Sequence, residues 1–293
     1  MAAFASSSGF AEDVNGNAVT NTNIVQIRHL AEQGDADAQY TLGKAYQNGS
    51  TVPQNYSEAV KWYRSAANLG NSDAQASLGA MCHRGKGTEQ DDTEAIKWWR
   101  QSAEQGNAFG ELSLGEAYHA GWGGLAKDDT KAFALISQSA RQGNDSAETA
   151  LGAIYEHGYA VPTNSVEAVK WWRKAATKNN PVALCYLGIA YHEGRGVSTN
   201  DVEAIKWWKK SADQGYPQGL YYLGLAYSAG WGNLRKDHAQ AYVWLTLAAN
   251  RTKRDDEKAG VLQALSADRA LMTKGQIEEA ERLAKQWTPK SHM

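Results

Sequence analysis

Four histidines are the first residues in this chain that could do chemistry together. His83, His119 and His192 occupy one position of an internal repeat, and His157 lies one step away. All four fall near the end of a predicted helix, so a ladder of imidazoles along one rim is expected. A metal site is the sharpest reading of that ladder. Neighbouring helix axes lie ~8–10 Å apart, however, whereas metal–histidine bonds are only about 2 Å long. Two of these histidines could reach one ion; four could not without distortion, and the set reads as polar rim residues. Gly85-Lys86-Gly87-Thr88 resembles a fragment of a phosphate-binding loop, but it lacks the upstream glycine spacing and a preceding strand. Its counterpart, Gly194-Arg195-Gly196-Val197, marks it as a repeat loop. No H-E-x-x-H or G-x-S-x-G signature occurs. Cys82 and Cys185 are too few for a disulfide framework and read as small buried or groove-lining side chains. The sequence therefore predicts no catalytic residue, no bound metal and no cofactor, and the chain is not expected to be an enzyme.

Composition bounds the partners. Thirty basic residues stand against 32 acidic ones, which supplies no electrostatic drive toward nucleic acid or an anionic membrane. No apolar run approaches the ~18 residues needed to span a bilayer. Trp (11) and Tyr (14) far outnumber Phe (4), and Gly is high at 28 while Pro is only 5. Small residues with a few large aromatics suit close helix contacts, and scarce proline suits a mostly helical chain. The start is Ala/Ser-rich, and Ala3-Phe4-Ala5 would suit the tail of a leader cleavage site. That points to a periplasmic or secreted protein, with the cytoplasm as the other possibility.

The elements that would position these residues are set by a repeat. A Leu-Gly pair recurs with its glycine at 43, 79, 115, 152, 188 and 224. Ala38, Leu42, Ala45 and Tyr46 fall on one face of a helix. Gly43 would weaken that helix by ~1 kcal/mol relative to Ala, so its recurrence predicts a contact where another helix backbone leaves no room for a Cβ. Gly49, Gly85, Gly121, Gly158, Gly194 and Gly230 then read as left-handed stops. Asn55, Asp92, Asp128, Asn164, Asp201 and Asp237 read as caps of a second helix. In that helix Ala59 precedes Trp62, and the pattern repeats through Ala95/Trp98, Ala132/Leu135, Ala168/Trp171, Ala204/Trp207 and Ala241/Trp244. Adjacent pairs such as Trp98-Trp99 and Trp207-Trp208 let one ring pack inside the unit and the other toward a neighbour. A single helix pair cannot bury both faces, so stacked pairs with a continuous core are expected.

A longer period lies over the short one. Ala-Gly-Trp-Gly occurs at 120–123 and again at 229–232, and Glu-Ala-Ile-Lys-Trp-Trp at 94–99 and 203–208. The offset is 109 residues without a gap, and about half of the positions from 34 to 140 are identical across it. A duplicated block of three units follows, which makes the Trp122 and Trp231 loops equivalent and distinctive.

These landmarks resemble the Sel1-like repeat family, relatives of the tetratricopeptide repeats. Unit one matches the family pattern with Ala38, Leu42, Gly43, Tyr46, Gly49, Ala59, Trp62, Ala66, Ala67 and Gly70. The resemblance covers about 35–252; Leu135 and Cys82 depart from it where Trp and Tyr are expected. It implies an all-α fold, a right-handed α/α superhelical solenoid whose first helices line a concave surface, and a role as an adaptor. A cysteine-rich branch of the family is linked to β-lactam binding; the disulfide cysteines of that branch are absent here. The expected organisation is a flexible segment over 1–22, a capping helix over 23–34, six repeats (35–70, 71–106, 107–143, 144–180, 181–215 and 216–252), and capping helices over 253–293.

The groove follows from the helix phase. With Leu42 and Tyr46 turned inward, unit one offers Tyr40, Lys44 and Gln47, and unit two Arg84. Unit three offers Phe109, Leu112, Glu116 and His119, and unit four Glu156. Unit five offers Ile189, His192 and Glu193, and unit six Tyr221 and Leu225. Phe109, Leu112, Ile189, Tyr221 and Leu225 are expected to be partly exposed there. The mixture resembles an interface core with its rim. A monomeric scaffold that takes a protein or peptide in this groove is expected, in a bacterial envelope or host-interaction setting. A hydrolase acting on cell-wall or β-lactam-like substrates and a purely structural spacer are the competing readings.

Overall fold

The computed structural model describes residues 21–290, which form fifteen α-helices and one short 3-10 turn, with no strand among the described residues. The expected lead-in over 1–22 lies outside them, apart from the two residues that open α1 (Asn21–Glu32). Six helix pairs follow: α2 (Ala36–Asn48) with α3 (Tyr56–Asn68), α4 (Ser72–Arg84) with α5 (Asp92–Glu104), α6 (Ala108–Ala120) with α7 (Asp129–Arg141), α8 (Asp145–His157) with α9 (Ser165–Ala176), α10 (Pro181–Glu193) with α11 (Asp201–Asp213), and α12 (Pro217–Ala229) with α13 (His238–Arg251). α14 (Asp255–Arg269) and α15 (Lys274–Gln286) close the chain. The chain divides between Leu151 and Gly152 into two compact units.

The second helix of each pair begins where a short polar side chain accepts a hydrogen bond from an otherwise unpaired amide. Asn55 accepts from the Glu58 amide at 3.1 Å, and Asp128, Asn164 and Asp237 occupy the same place in their repeats. In the other two repeats the cap is Asp91 and Asn200, not Asp92 and Asp201 as the sequence suggests. The expected caps sit one residue inside the helix, which leaves their carboxylates for another partner. The first helices end on glycine as expected: Gly49, Gly85, Gly121, Gly194 and Gly230 adopt φ between 60° and 74°, and Gly158 adopts φ 76°.

The mid-helix glycines serve a side chain more than a backbone. A Cβ on Gly43 would lie 2.7 Å from the Tyr63 ring, and one on Gly79 2.5 Å from Trp99. Gly152 and Gly188 face Trp172 and Trp208 in the same way, with no space for a methyl group. Where the ring is replaced, Gly115 meets Ile136 at 2.8 Å and Gly224 meets Leu245 at 2.7 Å. The expected backbone approach is present but secondary: the Ala95 carbonyl oxygen is 3.0 Å from the same point on Gly79. The second ring of each aromatic pair thus lies on its own unit's glycine and is buried, as Tyr63, Trp99, Trp172 and Trp208 all are. The first ring is half-buried at Trp62, Trp171 and Trp207, with a lysine ammonium over it at 4.6–5.9 Å.

The ends imitate repeats. Arg28 of α1 donates to the Tyr46 hydroxyl at 3.0 Å, as Arg173 of α9 donates to Tyr191 at 2.9 Å, so α1 stands in for a second helix. At the other end Ala280 and Ala284 of α15 are buried, and Ile277 and Trp287 pack against the same core.

Gly188→Ala is expected to destabilise the protein by about 1–3 kcal/mol, because an inserted methyl must displace the Trp208 ring. Gly260→Ala, in α14 where nothing lies within 4 Å, should instead stabilise by about 1 kcal/mol from helix propensity. Urea midpoints of the two variants against the parent check both signs.

Candidate functional site

In the first unit the predicted first-helix residues Tyr40, Lys44 and Gln47 are half-buried, and Arg84 is exposed. The Lys44 ammonium lies 5.5 Å from the centre of the Tyr40 ring, and Gln47 accepts from the Tyr63 hydroxyl at 2.6 Å. Phe109 is 62% exposed at the start of α6. Leu112 departs from expectation: it is buried at 6%. Its equivalents Ala76 and Cys185 are buried too. First helices of successive repeats pack side by side, α4 against α6 and α10 against α12, and this position faces the neighbour. The uncovered stripe begins one residue later, at Ser77 and Ser113, which are half-buried.

Glu116 is the most perturbed acid of the unit. Its residue keeps some contact with solvent, but Oε1 is sealed off with no hydrogen-bond partner. Desolvation pushes the carboxyl up to about 8, with the nearby Arg84 charge opposing the shift. Cys82 is buried beside Glu94, and desolvation raises its thiol to about 12, so it is an inert packing residue.

The histidine ladder resolves into separate pairs. His83 Nδ1 lies 2.7 Å from Asp92 Oδ1, His119 2.6 Å from Asp129, and His192 2.6 Å from Asp201. Two of these partners, Asp92 and Asp201, are the aspartates displaced from the cap position, and Asp129 likewise follows its cap, Asp128. His83 also lies on the Trp122 ring, centroids 4.2 Å apart, with Trp99 at 5.5 Å. In the second unit His192 lies 4.2 Å from Trp231 and 5.6 Å from Trp208. The two tryptophan loops share part of their internal geometry: Leu125 and Leu234 donate to the Trp122 and Trp231 carbonyls, and Gly123 and Gly232 take φ 55° and 58°, whereas the 3-10 turn over Trp122–Gly124 and the φ of 80° at Gly124 belong to the first loop. Each loop is thus held by an imidazole clamped between an aspartate and an indole. Beside the first of them, Ile96, Lys97, Arg100, Glu104, Gly123 and Leu125 line a shallow hollow. Among the described residues, no group of three or more His, Cys, Asp or Glu side chains is placed to hold a metal.

In the second unit Arg195 bridges two of the predicted acids, reaching Glu156 Oε1 and Glu193 Oε2 at 2.7 Å each. The Glu156 side chain is only 7% exposed, whereas Glu193 is exposed. Ile189, Tyr221 and Leu225 are half-buried, as expected, and the structure adds two residues to them, Tyr186 and Tyr222. Tyr186 stacks on Trp172 with centroids 4.9 Å apart, and Tyr222 on Trp208 at 5.1 Å. Burial pushes both hydroxyls up to about 12, so they stay neutral hydrogen-bonding groups. The signal that would have found them is the 109-residue comparison: they stand where the first block has Ser77 and Ser113.

The helix pairs, each with a large apolar side chain of the second helix on a glycine of the first, match the Sel1 repeat model six times, at 36–71, 72–107, 108–144, 145–180, 181–216 and 217–253. The chain belongs to the Sel1 repeat family. A Sel1 repeat protein from Oxalobacter formigenes is 27% identical, with a TM-score of 0.70 over 80% of this chain and 92% of its own. A protective antigen present in uropathogenic Escherichia coli strains, described as displaying an SLR fold, is 28% identical with a TM-score of 0.61. That match covers 92% of this chain and 65% of the antigen chain, just under two thirds of it. An immunity protein from Pseudomonas aeruginosa, at 18% identity and a TM-score of 0.51 over 83% of this chain and 86% of its own, shares the fold alone. A search of curated proteins found no match. Sel1 repeat proteins generally mediate protein–protein interaction on a non-enzymatic scaffold. No helix among the described residues of this Sel1 chain is long and apolar enough to cross a membrane.

Glu116 gives the site a pH signature. In the unfolded chain its carboxyl ionises near ~4.3, so the folded state holds an extra proton from there up to about 8. Its contribution is fully present below ~4.3 and is lost as pH rises through about 8. Glu116→Gln is therefore expected to be more stable than the parent at pH 8.5 and to show a flatter stability profile from pH 5 upward. Chemical denaturation at both pH values measures the difference.

Proposed function

We propose that this Sel1 repeat protein is a non-enzymatic adaptor that takes up a partner protein or peptide on its first-helix faces, and that it works in the bacterial envelope or outside the cell. The observation that carries the reading is the contrast between the two kinds of helix. Second helices keep a buried large side chain on the glycine, a ring in four repeats and Ile136 or Leu245 in the other two, with small alanines and an Asn or Asp cap. First helices carry a stripe of incompletely covered side chains of mixed character: Tyr40, Lys44, Arg84 and Phe109 in the first unit, Ile189, Tyr221 and Leu225 in the second. Stability does not require an aromatic or a charge at these places. Interface cores are enriched in aromatics and Arg, with a polar rim, and repeat proteins use such extended faces for binding. The uropathogenic antigen among the similar structures supports a setting at the cell exterior.

In-cell photo-crosslinking from position 44 or 225 should trap a discrete partner. Lys44→Glu with Arg84→Glu, or Leu225→Glu, should reduce its capture at least tenfold while leaving the helical melting curve in place. Undiminished capture by both variants would place binding off the first-helix faces.

A further inference from the structure

The two blocks of the duplication have diverged on one surface. Across the 109-residue offset, α5 and α11 share nine of their thirteen residues, whereas α4 and α10 share only Ala74, Leu78, Gly79 and His83 with their counterparts. The changes include a concerted set on the uncovered stripe. Ser77, Ala80, Ser113 and Glu116 of the first block become Tyr186, Ile189, Tyr222 and Leu225 in the second. Leu112, buried in the first block, becomes the half-buried Tyr221. Arg84 becomes the exposed Glu193, so the rim reverses sign.

We infer that the first-helix face of the second unit is a docking site for a peptide segment whose aromatic or aliphatic anchor is flanked by lysine or arginine. This rests on the adaptor reading and names the class of partner. Ile189, Tyr221 and Tyr222 pack against one core cluster, and Tyr186 packs against the neighbouring one. Tyr186 and Ile189 fall three residues apart on α10, and Leu225 lies three residues from Tyr222 and four from Tyr221 on α12, so each of these pairs shares a face. Tyr221 and Tyr222 meet edge-on, with ring centroids 5.4 Å apart. Rigid aromatics backed by a packed core are the anchors that dominate peptide binding. Among the described residues no hydrogen bond engages the Tyr186 or Tyr222 hydroxyl, which leaves both for a partner's backbone.

The rim sets the charge of the partner. Glu193 acts electrostatically on Tyr222, and Glu257 on Tyr186 and Tyr216. The cations nearby are already engaged: Arg195 by Glu156 and Glu193, and Arg254 by Asp256 and by Glu257 at 3.0 Å. Four carboxylates thus surround two guanidiniums. An arriving cation finds uncompensated negative charge beside an apolar floor, and an arriving anion is repelled.

The test uses two fluorescent heptapeptides on the full chain, one alternating Trp and Leu with Lys, the other carrying Glu in place of every Lys. Anisotropy titrations should show the Lys peptide binding at least tenfold more tightly than its Glu twin. Tyr222→Ser with Leu225→Glu installs the side chains that the first block carries at the equivalent places; a thermal melt followed by circular dichroism checks that it folds, and it should weaken the Lys peptide at least tenfold. Glu193→Arg, on the exposed rim, should weaken it severalfold without touching the apolar floor. Equal binding of the twins, no binding of either, or unchanged affinity in both variants overturns the assignment. A partner crosslinked from position 44 and lost with Arg84→Glu would preserve the adaptor reading while this assignment fails.

Discussion

One contact organises the repeat: the second helix lays a large apolar side chain, a flat ring in four repeats of six, on a glycine of the first. At Gly79, Gly152 and Gly188 an indole covers the site so closely that any Cβ would collide with it. A bare Cα in mid-helix costs helix propensity, roughly 1 kcal/mol per residue. The indole it admits offsets this by burying on the order of 200 Å² of surface. The glycine also sets the depth to which the two helices sink together, because the Ala95 carbonyl lies against the same spot on Gly79. Caps and stops follow from that depth. The connecting loops are short enough that Asn55 must both cap α3 and donate its amide to the Tyr46 carbonyl.

Once the core is confined to that contact, the far side of the first helix is released from structural duty. The duplication exposes this release. Leu78, Gly79, Ala95 and Trp99 reappear unchanged as Leu187, Gly188, Ala204 and Trp208. On the opposite stripe a serine can become a tyrosine and an arginine a glutamate with the same fold around them. The tryptophan loops were retained instead of diversified: His83 and His192 hold Trp122 and Trp231 at the same 4.2 Å. Such a loop lengthens the third unit of each block, and the imidazole–indole contact ties the extra residues to the unit before it.

The repeat, its pairing of helices and its glycine stops were legible in sequence because each depends on residue types at fixed spacing. Three things were not. The caps Asp91 and Asn200 are each followed by an aspartate, and residue type cannot say which side-chain oxygen meets the amide; the aspartate that follows goes to a histidine instead. Leu112 was placed in the groove by counting from inward-facing Leu42 and Tyr46. That count fixes the face turned toward the second helix but not the flank against the next first helix, and the shift there is one residue. Tyr186 and Tyr222 were passed over for the same reason, since they lie on the residue that the miscounted phase turned away.

Glu116 shows how far the stripe is decoupled from the core. A carboxyl raised to about 8 by desolvation makes the folded state less favourable at neutral pH than a neutral side chain would. The fold has no need of it, because Leu225 occupies the equivalent place on α12. Arg84 lowers the cost only in part, and its own side chain stays exposed. A destabilising acid at a position where the same backbone accepts leucine has no explanation in packing. Its place is on the uncovered stripe beside Arg84, the surface that the proposed adaptor role would use. The two blocks thus keep one set of cores and differ in what they present on the stripe, an acid at Glu116 and an apolar side chain at Leu225.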